Sequence, residues 1–274
     1  MSGAVTSAGA AAPTASLDLS STRPTPFARL VSVELRKARD TRASFWLLAT
    51  IGLVVLAACV IVTIVVVVQD EPVTLGDFAA TAAYLTSFLL PVLGIMLVTS
   101  EWGQRTAMVT FTLEPRRTLV VLAKLVVGVL LTLITLAAAL AIGVACTLVC
   151  ELANPDLTSW ELGADALAGF VVTQTLAMLG GFALATLLLN TPAAIVLYFV
   201  YKWVLPGLFA LGVALIGWFE DLAPWLDFQA AQGDIYEWNL YGTEEWAHLI
   251  VSGLIWLGLP LGLGMWRILR AEVK

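Results

Sequence analysis

The chain carries 14 lysines and arginines, and their placement follows a side rule. Long apolar stretches cut the sequence into polar pieces. Every base except Lys202 falls in the pieces Arg23–Arg42, Arg105–Lys124 and Arg267–Lys274. The intervening pieces, around Asp70–Asp77, Glu151–Asp165 and Glu220–Glu245, carry acids and no Lys or Arg. Loops on the cytoplasmic side of a membrane hold the Lys/Arg excess. The alternation therefore predicts an all-α membrane protein with six transmembrane helices and both termini cytoplasmic.

Composition agrees: 60% of residues are hydrophobic and 12% charged, beyond what a soluble domain of this length needs. The net charge of −6 is split by side, so it says little about partners, and no nucleic-acid partner is expected. Membrane lipids are. Cys59, Cys146 and Cys150 all lie in apolar stretches and read as small buried hydrophobes, not as a disulfide or metal framework. Residues 1–25, rich in Ala, Ser, Thr, Gly and Pro, read as a disordered cytoplasmic tail. They lack the basic start and apolar core of a signal peptide. An Ala/Val/Leu-rich chain without a eukaryotic targeting signal is expected in a bacterial plasma membrane.

Residues 26–44 mix Phe27, Leu30, Val31 and Leu35 with Arg29, Arg36, Lys37 and Arg39. This suits an amphipathic helix lying in the membrane interface, the alternative being an ordinary basic flank. The spans are expected at about 45–68, 77–99, 119–150, 164–189, 192–218 and 248–266, within a transmembrane domain covering 45–274. Pro91 and Pro206 lie inside spans two and five. Asn190-Thr191-Pro192 gives a tight turn and a helix start between spans four and five. The outer segment 219–247 repeats aromatics at Trp225, Phe228, Tyr236, Trp238, Tyr241 and Trp246. That pattern predicts short interfacial or re-entrant helices before the last span.

Several chemistries lack their residues. There is no Gly-x-x-x-x-Gly-Lys-Ser/Thr phosphate loop, so ATP is not expected to bind here. His248 is the only histidine and reads as an interface anchor; no metal site and no nucleophile–base set is visible. The chain is not expected to be an enzyme or to hold a cofactor. The span centres lack acids, which removes the carboxylate relay of proton-coupled transporters. Gly180-Gly181 and Gly258-x-x-x-Gly262 permit close helix packing but arise easily in such a chain.

Two places carry functional candidates. The segment Glu101–Lys124 is too long and patterned for a simple turn. Met108, Val109, Phe111 and Leu113 give it an apolar side, and Glu101, Arg105, Arg116 and Arg117 give it charge. It reads as a short helix on the inner face that docks a soluble partner, or as a solvated loop. Lys202 lies deep in span five, where a lysine faces a cavity or a partner. With Tyr198 and Tyr201 beside it in the sequence, it either faces a cavity or makes a structural hydrogen bond.

Glu101, then Arg105-Thr106, Pro115, Arg117 and Lys124, resembles the type-2 permease family of ATP-binding-cassette exporters. In that family a glutamate ends the second span, a Thr-containing helix follows, and a Pro-x-Arg and a lysine open the third. Val33-Glu34-Leu35-Arg36-Lys37 up to Phe45-Trp46 is similar to the family's elbow helix, and Leu259-Pro260-Leu261-Gly262 to Arg267 to its last span. The resemblance covers residues 27–274. It implies a permease subunit paired with a second copy, more readily a homodimer, and with separate ATPase subunits that hold ATP and Mg. It implies that Glu101, Arg105, Thr106, Pro115 and Arg117, within a coupling segment 100–118, connect to that motor. Glu34, Arg36 and Lys37 would belong to the elbow, and spans two and five would line a central path with Tyr84, Phe88, Tyr198, Tyr201 and Lys202 on it. The alternative is a six-span protein without a motor, a secondary carrier or scaffold. A carrier predicts inverted repeats, and no convincing repeat is visible between the halves.

Overall fold

The structure, a computed structural model, describes residues 25–236 and 242–270. Residues 1–24 of the expected tail and the aromatics Trp238 and Tyr241 lie outside the described residues, as do the side chains of Asp234 and Tyr236 and residues 271–274. Among the described residues six helices are long and apolar enough to cross a membrane.

Helix α1 (Phe27–Asp40) ends where Thr41 turns extended, and α2 (Arg42–Gln69) starts at once as the first span. Asp70 adopts a left-handed φ of 53° and stops it. Strand β1 (Val73–Thr74) leads into α3 (Leu75–Gly103), the second span. Its start is a capping box. The Asp77 amide donates to Thr74 Oγ1 at 3.1 Å and the Thr74 amide to Asp77 Oδ2 at 2.8 Å, so two otherwise orphaned donors are satisfied reciprocally. A short helix α4 (Ala107–Leu113) precedes α5 (Arg117–Ala153), the third span. At 37 residues α5 is roughly 55 Å long, well beyond a hydrocarbon core of about 30 Å. Strand β2 (Thr158–Ser159) pairs in parallel with β1 and clasps two loops at the acidic end. Helix α6 (Ala164–Leu188) is the fourth span. Asn190 then caps the fifth, its Oδ1 accepting from the Ala193 amide at 2.9 Å.

Spans five and six are each interrupted. The fifth runs as α7 (Thr191–Phe199), a π-helical turn Val200–Val204 and α8 (Leu205–Leu215). Two short helices follow, α9 (Phe219–Leu226) and α10 (Phe228–Tyr236). The sixth runs as α11 (Thr243–Gly253), a π turn Leu254–Gly258 and α12 (Leu259–Arg270). Each π turn ends two residues before a proline, Pro206 or Pro260. A proline lacks an N–H and crowds the carbonyl four residues back, here those of Lys202 and Trp256. A widened turn relieves that crowding; in span five the Leu205 amide reaches back to the Val200 carbonyl. The sequence identifies Pro206 as an internal proline but not the widened turn ahead of it.

Helices α3 and α6 form the centre, with α2 and α5 on one flank and α7 and α12 on the other. Glycine lets them approach. A Cβ on Gly94 would stand 2.5 Å from the Met178 carbonyl oxygen, and one on Gly181 would overlap the Pro91 carbonyl. Gly181 thus holds the closest crossing. The Gly258/Gly262 pair does not: a Cβ on Gly262 meets nothing within 4 Å, and one on Gly258 only Leu254 of its own helix.

The expected boundaries need adjustment. Span five ends at Leu215, because Ile216 turns extended, and span six begins at Thr243, so His248 sits inside it. Spans two and three run to Gly103 and from Arg117 to Ala153, beyond the apolar runs that identified them. The outer segment folds back on the bundle: Trp225 meets His248 edge-on with ring centroids 4.4 Å apart, and Trp256 Nε1 donates to the Leu226 carbonyl at 2.8 Å.

Candidate functional site

At the basic end three helices meet through a closed ring of charge. Lys37 Nζ lies 2.7 Å from Glu34 Oε1 and 2.8 Å from Glu101 Oε1. Lys124 Nζ lies 2.6 Å from Glu34 Oε2 and 3.1 Å from Glu101 Oε1. Each carboxylate therefore touches both ammonium groups. Glu34 and Lys37 come from α1, Glu101 from the last turn of α3, and Lys124 from the second turn of α5. Glu34, Glu101 and Lys124 are 6%, 8% and 5% exposed. Buried ions cost several kcal/mol each unless paired and hydrogen-bonded. Two acids against two bases leave no net charge. At Lys37 burial alone would lower the pKa, but the Glu101 and Glu34 carboxylates outweigh it and hold the ammonium above its ordinary value.

The ring forms the floor of a cleft of about 550 Å³ between α1, the end of α3 and α4, with Leu30, Val33, Val109 and Leu113 on its walls. Helix α4 is reached through Arg105, at φ 57°, and through Thr106, whose amide donates to the Glu101 carbonyl at 2.9 Å. The left-handed residue reverses the chain within a turn of the ring. The expected single apolar side of α4 is divided. Ala107 and Phe111 face inward, and the Arg117 guanidinium stands 5.0 Å over the Phe111 ring. Met108, Val109 and Leu113 face outward, Leu113 at 79% exposure. Burying Phe111 anchors the helix and leaves the other three unpartnered.

The flanking residues fasten this end. Arg117 Nη1 donates to the Ile268 carbonyl at 2.7 Å, tying the start of span three to the end of span six. Arg116 grips Glu114 (Nε to Oε1, 2.7 Å) and donates to the Thr25 carbonyl at 2.8 Å. Its guanidinium holds the Glu114 carboxyl below the usual carboxylate range. Pro115 supplies the carbonyl to which the Arg117 amide donates. Arg36 and Arg105 are exposed. So the structure brings Glu34, Lys37, Glu101 and Lys124 together, sets Thr106, Pro115 and Arg117 around them, and leaves Arg36 and Arg105 outside.

The second group of candidates divides. Tyr84 and Lys202 line one cleft of about 390 Å³ between α3, α6 and α10. Phe88 sits between Tyr84 (5.1 Å, edge-on) and Trp203 (4.9 Å, stacked). Tyr198 and Tyr201 are buried elsewhere, Tyr198 beside Gly180 and Tyr201 against the Trp256 ring at 4.7 Å. Regular helical spacing puts Tyr198 and Lys202 on one face; the π turn Val200–Val204, which contains Lys202, alters that phase. Gln174 and Gln232 also line the Lys202 cleft. Gln174 was detectable as an amide within an otherwise apolar span. Among the described residues no group of three His, Cys, Asp or Glu side chains could hold a metal.

No protein-family model matches this chain, and no curated protein matches it.

Proposed function

We propose that the chain is the membrane subunit of an ATP-driven exporter, working as a pair of copies coupled to separate ATPase subunits. In this reading the basic end is cytoplasmic, both termini lie there, and the protein belongs to a bacterial plasma membrane. Helix α1, with Phe27 and Val33 exposed, lies in the inner interface as an elbow. The observation that carries the reading is α4. It is a seven-residue helix beyond the end of a span, anchored by Phe111, with Met108, Val109 and Leu113 turned outward. Apolar side chains exposed in that position mark a docking surface for another protein. The charge ring supports the same reading, because it joins α1, α3 and α5 into one body. Force applied at α4 then passes to spans two and three through Glu101 and Lys124.

The motor, with its ATP and Mg, resides in the partner. The test is gentle purification from the native membrane with identification of what copurifies in equal amount. A subunit bearing a phosphate loop, with ATPase activity in the complex, is the expected result. A chain recovered alone, under conditions that keep other membrane complexes whole, would replace this reading with a motorless carrier or scaffold.

A further inference from the structure

Lys202 sits near the middle of the Thr191–Leu215 span, half-buried, in the cleft it shares with Tyr84, Ser87, Gln174 and Gln232. Among the described residues it has no ion-pair or hydrogen-bond partner, and no acid lines the cleft. A cation at that depth is costly unless something compensates it. Among the described residues nothing supplies that compensation. The cleft holds a second unmet demand. Gln174 is 4% exposed. Its Nε2 donates to the Ala83 carbonyl at 2.9 Å, which fixes the amide's orientation because a carbonyl only accepts. Its Oε1 is left buried without a partner. Two residues with unmet demands of opposite kind, a cationic donor and a neutral acceptor, thus line one cavity. The stacked pair Phe88–Trp203 and the exposed Tyr84 extend an apolar rack beside it.

We propose that this cleft binds an amphipathic molecule that carries an anionic group beside a hydrogen-bond donor. Lys202 takes the carboxylate or phosphate, Gln174 Oε1 accepts from a neighbouring hydroxyl or amide, and the aromatic rack receives the apolar body. With no acid among the described residues of the cleft, Lys202 favours an anion there over an amphipathic cation. Calling this molecule the transported substrate rests on the exporter reading; the binding itself does not.

The test uses the full chain in phosphatidylcholine nanodiscs, with N-dodecanoylserine and its methyl ester as probes and empty nanodiscs subtracted. The two share chain, amide and hydroxyl and differ by one charge. The expected result is about tenfold or more tighter binding of the acid, as one charge-assisted hydrogen bond provides. Lys202→Gln should erase that preference and Lys202→Arg keep it. Gln174→Leu should weaken acid and ester alike by about fivefold. Equal binding of both probes by wild type, or a preference that survives in Lys202→Gln, overturns the anionic site. An unaltered Gln174→Leu overturns the donor assignment. If Lys202→Gln does not fold, the wild-type comparison and Gln174→Leu still decide. Competition by phosphatidylglycerol added to the nanodiscs would identify a lipid headgroup as the occupant, and its absence a free amphiphile. An ATPase partner with no acid preference sinks this inference alone. An acid preference in a chain that has no ATPase partner sinks the exporter reading alone.

Discussion

Glu34 shows how the buried charges depend on one another. It bonds Lys37 with one oxygen and Lys124 with the other, so neither lysine can be judged alone. Removing one member leaves a buried charge uncompensated, which costs about 3 kcal/mol or more. Glu34→Gln and Lys124→Met should each lower stability by that order. The double variant leaves the neutral pair Lys37 and Glu101, so it should cost less than the sum, with a coupling of about 1–3 kcal/mol. Thermal unfolding of the purified chain measures all three. The exposed Arg39–Asp40 pair, 3.4 Å apart, is the control, and Arg39→Ala should change little. Lys37 adds a pH test. Its pKa is raised, so its stabilisation is complete below the unfolded value of 10.5 and is lost only as pH rises through the higher folded value. The deficit of Lys37→Met should therefore stay constant from neutral to about pH 9. A deficit that shrinks across that range would mean the lysine is not held by its carboxylates.

Helix α6 makes the sharpest packing prediction among the elements. Gly181→Ala puts a methyl group into the Pro91 carbonyl, where only backbone can move. Overpacking of that kind costs about 2 kcal/mol. Gly262→Ala, with nothing within 4 Å, should be neutral or raise stability by up to about 1 kcal/mol through helix propensity. Equal effects in melting temperature would refute the close α3–α6 crossing. The contrast also shows what the sequence carries. Both glycine motifs were visible, but which one faces a partner backbone is a tertiary fact. The spans were legible because a bilayer demands long apolar helices, and Asn190 because a cap is local. The charge ring was legible only in part. Glu34, Lys37 and Lys124 fall in the basic pieces and Glu101 just ahead of one, yet Lys37 meets Glu101 across 64 positions and Lys124 meets Glu34 across 90. Composition sorts residues by side of the membrane and leaves their pairing open. Tyr198 and Lys202 lie in different surroundings for a local reason, the π turn ahead of Pro206.

At the scale of the whole molecule, the two ends are built differently. The acidic end is closed by the β1–β2 clasp and by α9 and α10 folding back. The basic end is braced by the ring, by Arg117 on the Ile268 carbonyl and by Arg116 on the Thr25 carbonyl, yet still presents an apolar helix outward. A rigid end with an unsatisfied surface suits a joint that transmits force. This separates fold from coupling experimentally. Leu113 is 79% exposed and Val109 58%, so Leu113→Asp and Val109→Asp should leave stability, followed by thermal unfolding, within about 0.5 kcal/mol of wild type. Under the exporter reading each should nevertheless reduce recovery of the ATPase subunit on copurification by tenfold or more, as loss of a central apolar anchor does at about 2 kcal/mol. Phe111→Asp is the contrasting case. It removes the buried ring that anchors α4, so it should unseat α4 and lower stability as well as association. If Leu113→Asp and Val109→Asp copurify with the motor as wild type does, α4 is not the docking surface. The force path through Glu101 and Lys124 would then lose its starting point.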